Sequence, residues 1–177
     1  MKNRERSRRI KMILMDVDGT LTDGSLYLLP DGEEVKGYNV RDGMGILMAR
    51  LAGLRTGIIT GKTSKALEAR AARLHVDELH QGILDKWPVV EEIRDRYGLE
   101  TEDLAFIGDD LGDLSVLKKV GFSGAVSDAH PEILKHCHFI SGLPGGKGAV
   151  REFIEFILSS QGQDWARLEK KIAALKD

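Results

Sequence analysis

The chain alternates short apolar runs with segments in which apolar residues recur every three or four positions. The first pattern predicts buried strands, and the second predicts amphipathic helices. The runs predict strands at 11–16, 56–59, 78–81, 104–108, 122–126 and 138–140. The spacing predicts helices at 42–53, 64–74, 87–97, 113–120, 149–159 and 164–176, the first capped by Asp42 and the second by Thr63 or Ser64. This alternation indicates an α/β fold in three layers, a doubly wound parallel sheet between two layers of helices.

One segment interrupts this alternation directly after the first strand. Residues 25–29 and 34–40 are rich in β-forming side chains, and they flank Pro30-Asp31-Gly32, which is typical of a tight turn. We therefore expect a hairpin insertion over residues 23–40 that projects beside the end of strand one. Because an isolated two-stranded hairpin is marginal in water, it is expected to pack on the sheet or on another subunit.

The length of 177 residues is that of a single domain, 1–177, with a sizeable core. Within it we expect a basic, solvated leader over residues 1–10 and a C-terminal helical tail over residues 161–177. The tail carries an apolar stripe that includes Leu168, Ile172 and Leu175. This stripe is expected to pack on a neighbouring subunit.

Composition narrows the functional classes. Lys and Arg total 26 against 28 Asp and Glu, and the net charge of −2 gives no reason to expect a nucleic acid partner. No stretch approaches the roughly 18 consecutive apolar residues of a membrane span, so no membrane partner is expected. The single cysteine, Cys137, excludes an intrachain disulfide and indicates a reducing compartment, which predicts a cytoplasmic protein.

Acidic side chains follow two of the predicted strands, at the point where each strand ends. Asp16 and Asp18 follow the first strand, and Asp109, Asp110 and Asp113 follow a later one. Because the carboxyl ends of parallel strands meet at one edge of a sheet, where such folds bind ligands, we expect these carboxylates to converge. Clustered carboxylates need a positive partner, and a set of oxygen ligands favours Mg²⁺.

Thr60 and Lys86 belong to the same edge, and the combined residue types predict phosphoryl transfer. Asp16 is expected to attack phosphorus and form an aspartyl-phosphate. Asp18 would protonate the leaving alcohol and then activate water. Asp109 would share the metal ion with Asp16, while Lys86 would neutralise phosphate charge and Thr60 would donate a hydrogen bond to phosphate.

Two questions stay open at this point. Asp113 either supports the metal site from behind or caps the helix that it begins, and the role of Asp110 is not assigned. A phospho-accepting receiver module of a signalling protein would use a similar set of Asp, Thr and Lys. Asp18 favours the enzyme, because a receiver has no use for a carboxylate that protonates a leaving alcohol.

This set resembles the haloacid dehalogenase superfamily of phosphohydrolases. Four segments match its motifs in order: Asp16-Val17-Asp18-Gly19-Thr20, Ile59-Thr60-Gly61, Lys86, and Gly108-Asp109-Asp110-Leu111-Gly112-Asp113. The resemblance implies a Rossmannoid fold, with Asp16 as the nucleophile and Asp18 as the general acid and base. It also implies that Asp16, Asp109 and the main-chain carbonyl of Asp18 bind Mg²⁺.

Further segments resemble a branch of this superfamily without a cap domain. Residues 32–34, 39–43, 58–62, 126–131 and 145–152 are similar to phosphatases of 3-deoxy-D-manno-octulosonate 8-phosphate, which belong to lipopolysaccharide sugar synthesis. The resemblance covers about residues 10–158. It implies a sugar-phosphate substrate that is hydrolysed to the free eight-carbon sugar acid and phosphate.

The resemblance also implies a substrate site and an assembly. The implied substrate-binding residues are Asp18, Asn39, Val40, Arg41, Asp42, Gly43, Lys62, Arg70 and Lys86. In this branch hairpins assemble a homotetramer in which a neighbour's segment covers each active site, which would exclude water from a site without a cap. Position 62 is commonly Arg in the family, and Leu114 stands where Trp is more frequent. A phosphatase of nine-carbon sialic-type sugar 9-phosphates is therefore the close alternative.

Overall fold

The structure is a computed structural model that describes residues 2–175. Within these residues the strands are β1 Met12–Met15, β2 Tyr27–Leu28, β3 Glu34–Val35, β4 Arg55–Ile59, β5 Glu78–His80, β6 Leu104–Gly108, β7 Phe122–Ala125 and β8 Phe139–Ile140. The α-helices are α1 Lys2–Arg8, α2 Val40–Leu51, α3 Lys65–Leu74, α4 Lys86–Arg96, α5 Leu114–Leu117, α6 Pro131–Leu134, α7 Ala149–Ser160 and α8 Trp165–Ala173. Single 3₁₀ turns lie at Thr101–Asp103 and Leu111–Asp113.

Six of the strands form a parallel sheet in the order β5-β4-β1-β6-β7-β8. The chain first winds outward from β1 through β4 to β5, then crosses back and winds the other way through β6 to β8. The reversal lies between β1 and β6, and sheets of this kind bind ligands outside the carboxyl ends of the strands at that place. The predicted α/β doubly wound fold is confirmed.

The central strands are buried on both faces, and their side chains alternate between two cores. Ile13 and Met15 of β1 belong to the core shared with α2, α3, α7 and α8. Met12 and Leu14 of the same strand belong to the core on the other face, which α4, α5 and α6 cover. This period of two is what a strand between two helical layers requires, and it explains why β1 is apolar throughout.

No cap domain interrupts the described residues. Between β4 and α4 the chain contains only α3 and β5, and both belong to the main body of the fold. The segment after β1 holds only the short pair β2 and β3 before α2 begins. The carboxyl edge of the sheet is therefore open within residues 2–175.

The insertion after β1 contains a shorter antiparallel pair than the sequence pattern predicts. Tyr27 pairs with Val35, and Leu28 pairs with Glu34. The apolar side chains of this segment are largely exposed, with Leu28 at 69% and Tyr27 at 58%. Two paired residues on each strand leave the pair without a core of its own, so its apolar side is unpartnered in the single chain.

The basic leader contains a helix that the sequence analysis did not predict. Residues 2–8 form α1, whose basic side chains are exposed while Ser7 is buried. Asn3 donates to the carbonyl of His138 over 2.5 Å, and Arg8 donates to the carbonyl of Ser160 over 3.0 Å. Asn3 and Arg8 thus reach main-chain carbonyls of distant segments, which the charge run itself does not reveal.

The first helix cap and the C-terminal tail also differ from the predictions. Asn39, not Asp42, caps α2, and its side chain accepts a hydrogen bond from the main chain of Arg41. In the tail, Leu168 and Ile172 pack on the protein's own core rather than on a neighbouring subunit. Residues 176 and 177 lie outside the described residues. No helix within residues 2–175 has the length and apolar character that crossing a bilayer requires.

Candidate active site

Three carboxylates from β1 and β6 meet at the carboxyl edge of the sheet. Asp16 directly follows β1, Asp109 directly follows β6, and Asp113 ends the 3₁₀ turn after β6. One oxygen from each of these side chains lies within 4.8 Å of the other two. Parallel pairing brings Asp16 to this place, because its amide donates to the carbonyl of Ile107 over 3.0 Å. The predicted convergence of Asp16 and Asp109 is thus present in the structure.

Lys86 is the cation of this cluster. It is the first residue of α4, and its side chain is only 6% exposed. Its Nζ lies 2.5 Å from Oδ1 of Asp16 and 2.6 Å from Oδ1 of Asp113. The ammonium therefore bridges two of the three carboxylates, which is the arrangement that allows a lysine to be buried while charged.

Two glycines allow these side chains to approach each other. Gly19 adopts a φ of +95°, and a Cβ atom there would lie 2.1 Å from Oδ2 of Asp109. A Cβ atom on Gly108 would lie 2.2 Å from Oδ2 of Asp113. Any larger residue at either position would displace a carboxylate of the cluster, so both glycines are needed for its geometry.

Hydrogen bonds orient the carboxylates that follow β6. The main-chain amide of Asp109 donates to Oδ2 of Asp113 over 3.0 Å, and Thr20 Oγ1 donates to Oδ1 of Asp109 over 2.8 Å. Asp110 is exposed, and its side chain caps the 3₁₀ turn by accepting from the amide of Leu111. Of the two readings left open for Asp113, capping of the helix that it begins is wrong, because its side chain makes no hydrogen bond to the first turn of α5. Its carboxylate instead accepts from the amides of Asp109 and Asp110 and contacts Lys86.

Burial and mutual repulsion set the electrostatics of the cluster. The pKa of Asp16 is raised to about 8, because burial and the charge of Asp113 raise it by more than Lys86 lowers it. Burial likewise raises the pKa of Asp109 to about 6, although the hydrogen bond from Thr20 opposes this increase. One ammonium faces three carboxylates, so the cluster has an excess of negative charge when all of them are ionised. A divalent cation fits this donor set, because hard cations such as Mg²⁺ prefer carboxylate oxygens.

A cleft of about 320 Å³ opens over the cluster. Its lining residues include Asp16, Asp18, Thr60, Lys62, Lys86, Asp109, Asp110 and Asp113. Thr60 directly follows β4 and is buried, whereas Lys62 is exposed at the rim. All of the residues predicted for catalysis and metal binding therefore lie in one cleft.

Asp18 has a partner that the sequence reasoning missed. Lys36, directly after β3, donates a hydrogen bond to Oδ1 of Asp18, and its Nζ lies 2.8 Å from Oε1 of Glu34. The Lys36 side chain is 2% exposed. Its position between an exposed valine and a glycine in a hairpin-like segment carried no signal of burial, since the contact depends on how the insertion folds back over β1. Thr20 was likewise given no role, although it holds Asp109.

The residues predicted to bind substrate divide into separate groups. Asn39 caps α2 and donates to the carbonyl of Gly146, while the Val40 side chain is 79% exposed. Gly43 lies against Arg70, whose guanidinium also lies over the ring of Tyr38. Asn39 to Gly43 and Arg70 do not line the cleft over Asp16 in the described chain.

Asp42 and Arg41 also lie outside the cleft over Asp16. The Asp42 side chain is 1% exposed and accepts from the amides of Gly148 and Arg151 over 3.2 and 2.9 Å. Its carboxylate therefore holds the first turn of α7, which leaves it no access to a ligand in the cleft. Arg41 lines a separate, larger cavity of about 580 Å³ together with Arg151 and Glu152.

Comparisons with known proteins agree with this geometry. A family model described as haloacid dehalogenase-like hydrolase matches residues 69–154. The 3-deoxy-D-manno-octulosonate 8-phosphate phosphatase of Escherichia coli K12 is 39% identical over 158 residues, which are 89% of this chain and 84% of that protein. The crystal structure of the same phosphatase from Yersinia pestis is 40% identical, has a TM-score of 0.89, and matches over 95% of this chain and 89% of its own.

A further solved structure that is similar to this chain contains bound ligands. It is the 3-deoxy-D-manno-octulosonate 8-phosphate phosphatase from Moraxella catarrhalis in complex with a magnesium ion, a phosphate ion and a KDO molecule. Its identity to this chain is 32% and its TM-score is 0.91, with 99% of this chain and 98% of that chain covered. By this similarity and the shared fold, the chain belongs to the haloacid dehalogenase-like hydrolases and, within them, to the family of 3-deoxy-D-manno-octulosonate 8-phosphate phosphatases.

Proposed function

We propose that this protein is a Mg²⁺-dependent phosphomonoesterase that hydrolyses 3-deoxy-D-manno-octulosonate 8-phosphate in lipopolysaccharide sugar biosynthesis. The observation that carries the proposal is the convergence of Asp16, Asp109 and Asp113 around Lys86 in one cleft. The similarity to phosphatases of this substrate supports the choice of sugar, and the Moraxella catarrhalis complex supports the choice of metal.

In the proposed reaction Asp16 attacks the phosphorus atom while the bond from phosphorus to the ester oxygen breaks. The electron pair of that bond goes to the ester oxygen, which takes a proton from the carboxyl group of Asp18. Asp18 then accepts a proton from the water that attacks the aspartyl-phosphate, so that phosphate leaves and Asp16 is regenerated. Lys86 and Thr60 would hold the phosphate oxygens as charge builds on them.

The metal site in this proposal consists of the carboxylates of Asp16 and Asp109 and the main-chain carbonyl of Asp18. Bound Mg²⁺ would supply charge neutralisation between the carboxylates and the phosphate group. Asp113 would hold its place through Lys86 and the amide of Asp109. The exposed Lys62 at the rim of the cleft is proposed to meet an anionic group of the sugar acid.

A panel of sugar phosphates tests the proposal. We expect phosphate release from 3-deoxy-D-manno-octulosonate 8-phosphate in Mg²⁺ and none in chelator. Preference for a nine-carbon sialic-type sugar 9-phosphate would identify the protein as a phosphatase of that sugar, the alternative substrate considered because position 62 is Lys. Equal rates on all esters would contradict a specific sugar substrate. Stable phosphorylation of the unmodified protein without turnover would instead favour a receiver module.

We also propose that the protein works as a homotetramer with active sites shared between subunits. In the single chain the hairpin exposes apolar residues, and the cleft is open to solvent within the described residues. The exposed residues of this hairpin surface are Leu26, Tyr27, Leu28, Leu29 and Val35. A neighbouring subunit on this surface would bury these residues and would lie close to the Asp18 side of the cleft. Arg70 and residues 39–43 of either chain could then contribute to substrate binding.

Sedimentation velocity tests the assembly. We expect a tetramer for the parent chain and smaller, less active species for Leu28→Asp. Leu175→Asp, at an exposed position far along the chain, serves as the control and should leave the assembly intact. A fully active monomer would contradict the shared site. The cytoplasmic location expected from the single cysteine stays a prediction.

A further inference from the structure

Lys36 is a buried lysine outside the carboxylate cluster, and it contacts Asp18, the general acid and base of the proposed reaction. Only 2% of its side chain is exposed, and its ammonium lies between Asp18 and Glu34. A buried ammonium is costly unless it is paired. Asp18 and Glu34 supply this pairing, which allows the ammonium to be buried as a cation.

The contact is directed at one oxygen of Asp18. Lys36 donates to Oδ1, and within residues 2–175 no other hydrogen bond reaches this carboxyl group. Asp18 lines the cleft, whereas Lys36 does not. Lys36 thus approaches Asp18 from the side of the insertion and leaves the second oxygen for a group that enters the cleft.

We infer that Lys36 is a positioning residue that holds the Asp18 carboxyl group, through Oδ1, in the orientation for proton transfer to the leaving group. The inference rests on the proposed function, because it assigns Lys36 to the acid and base step of that reaction. When Asp18 gives its proton to the ester oxygen it becomes an anion, and the adjacent ammonium stabilises that charge as it forms. Glu34 lies on the other side of the ammonium, with 2.8 Å between Oε1 and Nζ.

This role predicts a dependence on the leaving group. An alcohol leaves poorly without a proton, so the sugar phosphate needs a well placed Asp18. The p-nitrophenolate of p-nitrophenyl phosphate leaves without one. The value of kcat/KM reports the steps through departure of the leaving group, and is therefore the quantity to compare between the two esters.

The experiment measures kcat/KM in Mg²⁺ for 3-deoxy-D-manno-octulosonate 8-phosphate and for p-nitrophenyl phosphate with Lys36→Met. We expect a loss of about tenfold to a hundredfold on the sugar phosphate and less than about threefold on the aryl ester. Lys36→Arg keeps the charge and should recover most of the loss. Lys36→Gln, which keeps a donor without the charge, replaces the Met variant if that variant fails to fold.

Glu34→Gln is the matched control. It removes the other ion pair of Lys36 but leaves the contact with Asp18, so the ratio of the two substrates should stay close to that of the parent. Equal losses on both esters in Lys36→Met would show a purely structural role and overturn the inference, as would no loss on either. A parent chain that hydrolyses neither ester would overturn the proposed function, and the inference with it.

Discussion

Two clusters of buried acidic groups in this sheet are neutralised in different ways. At the carboxyl edge, Asp16, Asp109 and Asp113 share the single ammonium of Lys86. At the amino end of the edge strand β5, the carboxylate of Glu78 is met by several donors. Its partners are Arg96 Nη1 at 2.7 and 2.9 Å, His80 Nε2 at 2.7 Å and Tyr97 Oη at 2.9 Å.

The pKa values reflect the different ratio of donors to carboxylates in the two clusters. Burial raises the pKa of Asp16 and of Asp109, and one lysine does not offset it. Burial also opposes ionisation of Glu78, but the hydrogen bonds from His80, Arg96 and Tyr97 outweigh it and lower its pKa. The Glu78 cluster is complete by itself and serves stability. The Asp16 cluster is complete only with an added cation, which is the electrostatic state of a site that binds one.

The largest effect is expected for Asp16→Asn. Without the nucleophilic carboxylate, we expect phosphatase activity to fall by roughly a thousandfold or more. Because the change removes like-charge repulsion from a buried cluster, the free energy of unfolding should be equal to or above that of the parent. Steady-state phosphate release and urea unfolding measure the two quantities. A variant that keeps a tenth of the parent activity would contradict the role of Asp16.

The next effect is on metal binding. Mg²⁺ at a hundred times its dissociation constant should stabilise the parent by about 2.7 kcal/mol, which thermal melts in Mg²⁺ and in chelator would detect. Asp109→Asn should abolish this shift because it removes a carboxylate ligand. Glu78→Gln, whose side chain does not line the cleft, should retain it. A Mg²⁺ shift of full size in Asp109→Asn would place the ion elsewhere.

Glu78→Gln should produce the opposite result to Asp16→Asn. It leaves donors of a buried cluster without their charged acceptor, and we expect a loss of about 1–3 kcal/mol in the free energy of unfolding. Phosphatase activity should change little, because Glu78 lies away from the cleft. Glu91→Gln is the matched control, since its exposed contact with Arg94 at 3.9 Å contributes little. If Glu78→Gln and Glu91→Gln were equally stable, the Glu78 cluster would not contribute to stability as proposed.

The smallest expected effect is a pH dependence of the Glu78 contribution. Its pKa is lowered on folding from an ordinary value of 4.5, so the stabilisation is fully present above pH 4.5. It is lost as the pH falls through the lower pKa of the folded state, where Glu78 gains a proton. The difference in unfolding free energy between the parent and Glu78→Gln should therefore shrink below pH 4.5 in urea titrations. A difference that grows in acid would contradict the direction of the shift.

Most of the architecture could be predicted from the sequence. The apolar run at 104–108 has the same bounds as β6, and the alternation of strands and helices is enough to predict a parallel doubly wound sheet. The position of Asp16 and Asp109 at one edge then follows, because parallel strands share a direction. The N-terminal helix and the short α6 escaped prediction, since short elements carry too few residues for a period to appear. The two strands of the hairpin lie within the predicted runs but are shorter than these.

The sequence by itself determined which strands form, in which direction they run, and that two acidic strand ends would meet with Thr60 and Lys86. These features depend on local patterns and on the geometry of parallel pairing. Only the tertiary structure decided that Lys36 holds Asp18, that Asp42 binds the first turn of α7 rather than capping α2, and that Leu168 packs on its own core. Each of these contacts joins segments far apart in the chain, and their pairing depends on how complete elements pack against one another.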